Sequence, residues 1–151
     1  MTKLLPTELI GSYALPSWLW IATERIEHQG DLGESDIDEI LDDAANMTVW
    51  DQARAGLDVL TDGEMRRRDF IQNFYSRFTG LNELPPARRF GSAGYDQNPR
   101  YEVIDRITAP QGLGIVSEIN HLKQVADQAI KICVPGPMTL TLPLILKGGY
   151  Y

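Results

Sequence analysis

Leu57-Asp58-Val59-Leu60-Thr61-Asp62-Gly63-Glu64-Met65-Arg66-Arg67-Arg68-Asp69-Phe70 is the stretch on which the reading of this chain turns. A short apolar segment, Leu57 to Leu60, reads as a buried strand that runs into two acids, a glycine and a basic triplet. Asp62 and Glu64 flank Gly63, so a carboxylate is presented where the strand leaves its sheet. Parallel α/β folds bind ligands at that edge. Glu64 is therefore the first candidate functional residue. The triplet Arg66 to Arg68 is surrounded by Asp62, Glu64 and Asp69, and reads as a solvated helix start rather than a polyanion site.

Upstream, Ser35 offers an N-cap with Asp38 three residues on, a capping-box arrangement. Ile37, Ile40, Leu41, Ala44, Ala45 and Thr48 follow at helical spacing, with Asp36, Asp42 and Asp43 on the other face. Gly56 ends that helix as a C′ residue. Leu9-Ile10, closed by Gly11-Ser12, reads as a first strand with a ligand-side turn. Tyr13 to Ile21 reads as a loop leading into a short helix, and Gly30 to Gly33 as a break.

Downstream, Phe70, Ile71, Phe74, Tyr75 and Phe78 form an apolar helical stripe that Gly80 terminates, and this aromatic face is assigned to core. Residues 82–99 carry three prolines and two glycines, and are read as a long loop. Tyr101 to Thr108 is β-prone. Ser117 caps a further helix with Ile119, Leu122, Val125, Ala126 and Ala129 inward. Ile130 to Val134 is the next strand, followed by Pro135-Gly136-Pro137. Helices that feed strands through short connections predict a parallel sheet with crossover helices.

With 151 residues, 43% of them hydrophobic and 23% charged, the composition is that of a globular domain. A net charge of −7 argues against nucleic acid as a partner. No window approaches the roughly 18 apolar residues of a membrane span, and the single cysteine, Cys133, excludes an internal disulfide. The expectation is a cytoplasmic protein with no membrane partner. About four strands fall short of an eight-stranded barrel, which needs roughly 200 residues. The expectation is one domain over 1–151 that is the front half of something longer, or that self-associates through open barrel edges.

Three stretches in order resemble the cobalamin-independent methionine synthase family: Ile10-Gly11-Ser12-Tyr13 with Pro16-Ser17-Trp18-Leu19, the Leu57 to Phe70 segment, and Val134-Pro135-Gly136-Pro137-Met138-Thr139. The resemblance spans nearly all of this chain and about the first half of the family's catalytic barrel. It implies an α/β fold, a partial TIM (β/α)8 barrel of parallel strands with crossover helices. It also implies a methyltransferase in which a zinc-activated homocysteine thiol takes a methyl group from methyltetrahydropteroylglutamate. By the same resemblance Ile10, Gly11 and Ser12 hold the amino-acid end of homocysteine and Glu64 pairs with its ammonium. An α-amino acid needs that combination, a carboxylate for its ammonium and N–H or O–H donors for its carboxylate.

The family's donor-contacting arginine-cysteine pair falls near Tyr101 to Pro110, where this chain has Asp105-Arg106 and no cysteine. Arg106 is thus a candidate donor contact, with a strand-end salt bridge as the other reading. A catalytic zinc needs three protein ligands. His28, His121 and Cys133 follow no zinc spacing; both histidines read as surface residues and Cys133 as a buried small hydrophobe. Zinc ligands are expected beyond the present sequence, so this chain would supply part of a homocysteine pocket and be inactive alone. Two alternatives are a thiol alkyltransferase acting on coenzyme M, whose sulfonate thiol carries no ammonium for Glu64, and a non-catalytic half-barrel that works by assembly.

Overall fold

The computed structural model describes residues 4–28, 30, 32–67, 69–86 and 99–146, the last two residues of the first range through their backbone alone. The chain gathers into two compact units, one from residues 1–68 and 115–133, the other from 69–114 and 134–151. No helix among the described residues is long and apolar enough to cross a membrane.

The first unit holds α1 (Ser17–His28), α2 (Glu34–Arg54), β1 (Val59–Leu60), α3 (Ile115–Val125) and β4 (Ala129–Ile130). The cap of α2 lies two residues before the expected Ser35. Gly33 is the N-cap, and the Asp36 carboxylate accepts the Gly33 N–H at 2.9 Å. Asp36 and Glu34 in the first turn and Arg54 in the last complement the helix dipole. Gly56, at φ 80°, takes the left-handed C′ position the sequence called for. α3 likewise starts at Ile115, ahead of the expected Ser117 cap.

β1 and β4 pair in parallel, Val59 opposite Ala129 and Leu60 opposite Ile130. On the other side of β1 the expected first strand shrinks to a single parallel bridge between Glu8 and Val59. Thr7 secures it: its N–H and hydroxyl donate to the Asp58 carboxylate at 2.7 and 2.8 Å. All three segments run the same way, so residues 10–12, 61–64 and 131–133 leave the sheet at one edge. Beneath that edge Val49, Leu60 and Leu122 form one core and Leu19, Ala44 and Met65 another. Each large apolar side chain so buried contributes about 1.5–3 kcal/mol. Trp18, Trp20 and Trp50 stay exposed.

The second unit departs from the all-parallel expectation. β2 (Thr79–Leu84) pairs antiparallel with β3 (Arg100–Thr108), and β5 (Leu144–Leu146) adds in parallel on the far side of β3. Two strands adjacent in sequence can close as a hairpin, whereas a parallel pair needs a crossover. The loop expected over 82–99 therefore starts later, because Asn82 to Leu84 complete β2; residues 87–98 lie outside the described residues. The aromatic stripe forms a 3-10 helix, Gln72–Arg77, rather than an α-helix through Phe78. The Asp69 carboxylate accepts the N–H groups of Ile71 and Gln72 at its start. Gly80 (φ 81°) does not stop a helix; it sits at the register shift between Thr79 and Leu81.

Two residues of the aromatic stripe are core, as expected, while Phe70 and Phe78 are partly buried. Phe74 and Tyr75 are buried, and the Tyr75 ring stacks on Tyr101 with centroids 4.0 Å apart. The Tyr75 hydroxyl donates to the carbonyl of Leu140 in α4 (Pro137–Thr141). Burial, with Tyr101 adding to it, pushes the Tyr75 phenol up to about 12.

In the first unit one side chain does the work of a missing strand neighbour. Gln52 on α2 is buried; its amide nitrogen donates to the Thr61 carbonyl at 2.7 Å and its amide oxygen accepts the Thr61 N–H at 3.1 Å. This fixes the backbone where β1 ends. Gln52→Leu leaves both Thr61 groups buried without partners, each costing about 1–3 kcal/mol. The expected drop in urea-unfolding stability is therefore well above that of an ordinary surface substitution.

Candidate functional site

Two turns meet at the sheet edge of the first unit. The 10–13 turn follows the segment bridged to β1, and the 61–64 turn follows β1 itself. The Tyr13 N–H donates to the Gly63 carbonyl at 2.9 Å, and the Ser12 hydroxyl donates to Glu64 Oε2 at 2.5 Å. Gly63 has φ 66°, and a Cβ there would stand 2.6 Å from both Thr48 Cγ2 and Tyr13 Cβ. Glycine is thus required for closeness and for conformation. Glu64 follows at φ 62°, and it alone among the described non-glycine residues has a positive φ.

This left-handed turn lays the Glu64 side chain over Gly11. A Cβ on Gly11 would meet Glu64 Oε1 at 2.7 Å and Cys133 Sγ at 3.0 Å. The Cys133 thiol donates to the Ile10 carbonyl at 3.0 Å. A carboxylate, a hydroxyl and a thiol therefore surround one bare glycine. Ile10 contributes only backbone, since its side chain is almost fully exposed.

Arg67 braces this arrangement from below, contrary to the solvated role expected of the triplet. It is only 4% exposed. Its guanidinium pairs with Glu118 of α3 through two nitrogens, Nε at 3.1 Å from Oε1 and Nη2 on Oε2, while Nη1 donates to the Cys133 carbonyl at 2.5 Å. The Arg67 N–H also bonds the Glu64 carbonyl at 3.0 Å. One buried cation thus ties the Glu64 turn to α3 and to the exit of β4. Arg66 is also partly buried and pairs with Asp42. Arg68 lies outside the described residues.

Burial sets the electrostatics. It pushes the Asp62 carboxyl above the usual carboxylate range, against a lowering by the Glu64 N–H it accepts. It pushes the Cys133 thiol up too, opposed by Lys131 and reinforced by Glu64. His121 is held below its ordinary value by burial and by Arg66. It is not the surface histidine expected, since Nε2 lies 2.9 Å from Asn46 Oδ1 and Nδ1 lies 3.2 Å from Asp42.

Of the predicted site residues, Ile10, Gly11, Ser12 and Glu64 lie together in the first unit. Arg106 belongs to the second unit, on an exposed stretch of β3, where its N–H bonds the Asp105 carboxylate at 2.7 Å. Gln52 and Glu118 were not singled out in the sequence, Asp62 was noted only as a flank of Gly63, and Arg67 only as part of a solvated triplet. Among the described residues no three His, Cys, Asp or Glu side chains converge to hold a metal. His121 is engaged through both ring nitrogens, Cys133 faces the Ile10 carbonyl, and the His28 side chain lies outside the described set.

The family described as "Cobalamin-independent synthase, Catalytic domain" matches residues 5–146. A methionine synthase of Sulfolobus acidocaldarius is 34% identical over 139 residues, covering 91% of this chain and 40% of the relative. One from Pyrococcus horikoshii is 29% identical over 137 residues, covering 91% and 39%. Among solved structures, a B12-independent methionine synthase from Shewanella sp. W3-18-1 in complex with selenomethionine superposes with a TM-score of 0.71 at 24% identity, covering 97% of this chain and 42% of that one. A putative vitamin-B12-independent methionine synthase from Listeria monocytogenes gives 0.70 at 21%, covering 95% and 40%. The chain thus spans about 40% of the length of these relatives.

Removing one partner of a buried ion pair strands the other charge, at about 3–5 kcal/mol. Glu118→Ala is expected to lose that much in urea unfolding. The double variant Arg67→Met/Glu118→Leu, which leaves no buried charge at the pair, is expected to lose less than Glu118→Ala.

Proposed function

This chain belongs to the family of cobalamin-independent synthase catalytic domains, and on that premise we propose that it supplies the part of a methyltransferase that grips homocysteine for conversion to methionine. In this reading the methyl donor is a methyltetrahydropteroylglutamate. The observation that carries the proposal is the Glu64 carboxylate standing over Gly11 beside the Ser12 hydroxyl.

An α-amino acid presents an ammonium and a carboxylate on one carbon. Glu64 offers an acceptor of full negative charge to the first. The backbone N–H groups of the same turn are donors of the kind the second requires, and the Ser12 hydroxyl, whose one proton goes to Glu64 Oε2 without ligand, can turn to it once the ammonium occupies that oxygen. Gly11, with no side chain, lets the Glu64 carboxylate and the Cys133 thiol lie directly against the turn, so the acid stands next to the backbone donors the ligand's carboxylate would use. Hydrogen bonds to charged groups contribute about 1.5–3 kcal/mol each, so a few suffice to orient a small metabolite. Ile10 serves through its backbone. Arg106 is the candidate contact for the anionic tail of the donor, on the strength of the resemblance alone.

Zinc is the metal the family implies, and the described donors of this chain do not fit it, since no three of them converge. The proposed role of these residues is therefore to bind and orient the amino acid. A sulfonate thiol such as coenzyme M would place an anion against Glu64, and the acid disfavours that reading.

Calorimetric titration of the full chain with L-homocysteine, L-methionine and 2-mercaptoethanesulfonate tests the proposal. The two amino acids should bind and the sulfonate should not. Glu64→Gln should weaken amino-acid binding about 10- to 150-fold, the equivalent of one charged hydrogen bond. Unchanged affinity in that variant, or equal binding of the sulfonate, would reject the role of Glu64. An amino acid seated on the 10–12 turn should also slow alkylation of Cys133 by iodoacetamide, followed by mass spectrometry. The raised thiol makes the unliganded reaction slow at neutral pH and faster as pH rises.

A further inference from the structure

A non-glycine residue in the left-handed region is disfavoured by roughly 1–2 kcal/mol. Such a conformation persists only where its surroundings over-determine it. At Glu64 the determining contact comes from two residues back. Asp62 Oδ1 accepts the Glu64 N–H at 3.1 Å, bridging Gly63. Asp62 is in turn held by what precedes it: the Thr61 hydroxyl lies 3.4 Å from Oδ1, and Thr61 is clamped by Gln52. Asp62 is 2% exposed, and its second oxygen, Oδ2, has no hydrogen-bond partner among the described residues. A buried acid with an orphaned oxygen is unfavourable to keep. A side chain that only filled space would carry no such penalty.

We propose that Asp62 is the positioning residue of the amino-acid site: its buried side chain takes the Glu64 N–H and so holds the left-handed turn that lays the Glu64 carboxylate over Gly11 beside Ser12. This rests on the reading of Glu64 as the ammonium acceptor. Asp62 itself touches no ligand. Its effect reaches the site through one backbone hydrogen bond, so the oxygen matters and the charge does not. Asparagine, with an oxygen in the same place, should substitute; alanine should not.

The experiment is a set of ¹³C and ¹⁵N spectra of the full chain as wild type, Asp62→Asn and Asp62→Ala, with L-methionine titrated into each. Wild type and Asp62→Asn should share left-handed Cα and Cβ shifts at Glu64 and bind L-methionine within about threefold of each other. Asp62→Ala should lose those shifts and weaken binding tenfold or more. Left-handed shifts at Glu64 that survive in Asp62→Ala would overturn the proposal, as would their loss in a folded Asp62→Asn.

Should Asp62→Ala fail to fold, the wild type supplies a second measurement. The Glu64 amide proton should follow the titration of the Asp62 carboxyl carbon, with Arg67 and Glu118 as its charged neighbours. An amide shift that ignores that carboxyl would overturn the proposal. These readouts do not depend on ligand. Absent amino-acid binding with the amide and backbone signatures intact would therefore count against the role of Glu64, and leave the action of Asp62 on the turn standing.

Discussion

The first unit depends on one buried guanidinium. Arg67 sits where the turn after β1, the helix α3 and the exit of β4 converge; its guanidinium serves the last two and its backbone N–H the turn. A charge that far from water is tolerable only with a near-complete set of partners. Glu118 supplies the counter-charge and the Cys133 carbonyl a third acceptor. The constraint is reciprocal. Neither the Glu64 turn nor the segment carrying Cys133 can shift without uncovering the cation, so the edge where the candidate site lies is held from beneath.

On that base the site is assembled from short-range parts. Parallel direction brings residues 10–12, 61–64 and 131–133 to one edge. Gln52 finishes the hydrogen bonding of β1 with a side chain, so the strand can end after two residues without orphaning Thr61. Gly63 allows the turns to touch, and Gly11 lets the Glu64 carboxylate lie against the backbone of its turn. The polar groups that result are those an α-amino acid can use. Membership of the cobalamin-independent synthase family gives that arrangement a chemical context.

Much of this was legible before any coordinates. Periodicity located α2 and α3, Gly56 marked the end of α2, and the acid-glycine-acid turn stood out because a glycine between two acids after an apolar run has few structural uses. Other features were hidden for identifiable reasons. The Ser35/Asp38 and Gly33/Asp36 pairs have equivalent spacing, and local pattern does not choose between them. A hairpin and a crossover can share the same β-prone strand, so the antiparallel β2–β3 pairing left no distinct mark. Arg67 looked like its neighbours because burial of an arginine is decided by Glu118, a residue far along the chain. Gln52, in a helix rich in polar residues, carried no signal at all.

Position 64 carries a further implication. A glycine there would relax the backbone and make the fold sturdier, while removing the acid. Robustness and ligand recognition therefore pull in opposite directions at a single codon. Random variants screened only for heat resistance should drift toward glycine at this site and lose recognition as they do so, which makes the identity of residue 64 a sensitive record of what the molecule has been selected to keep.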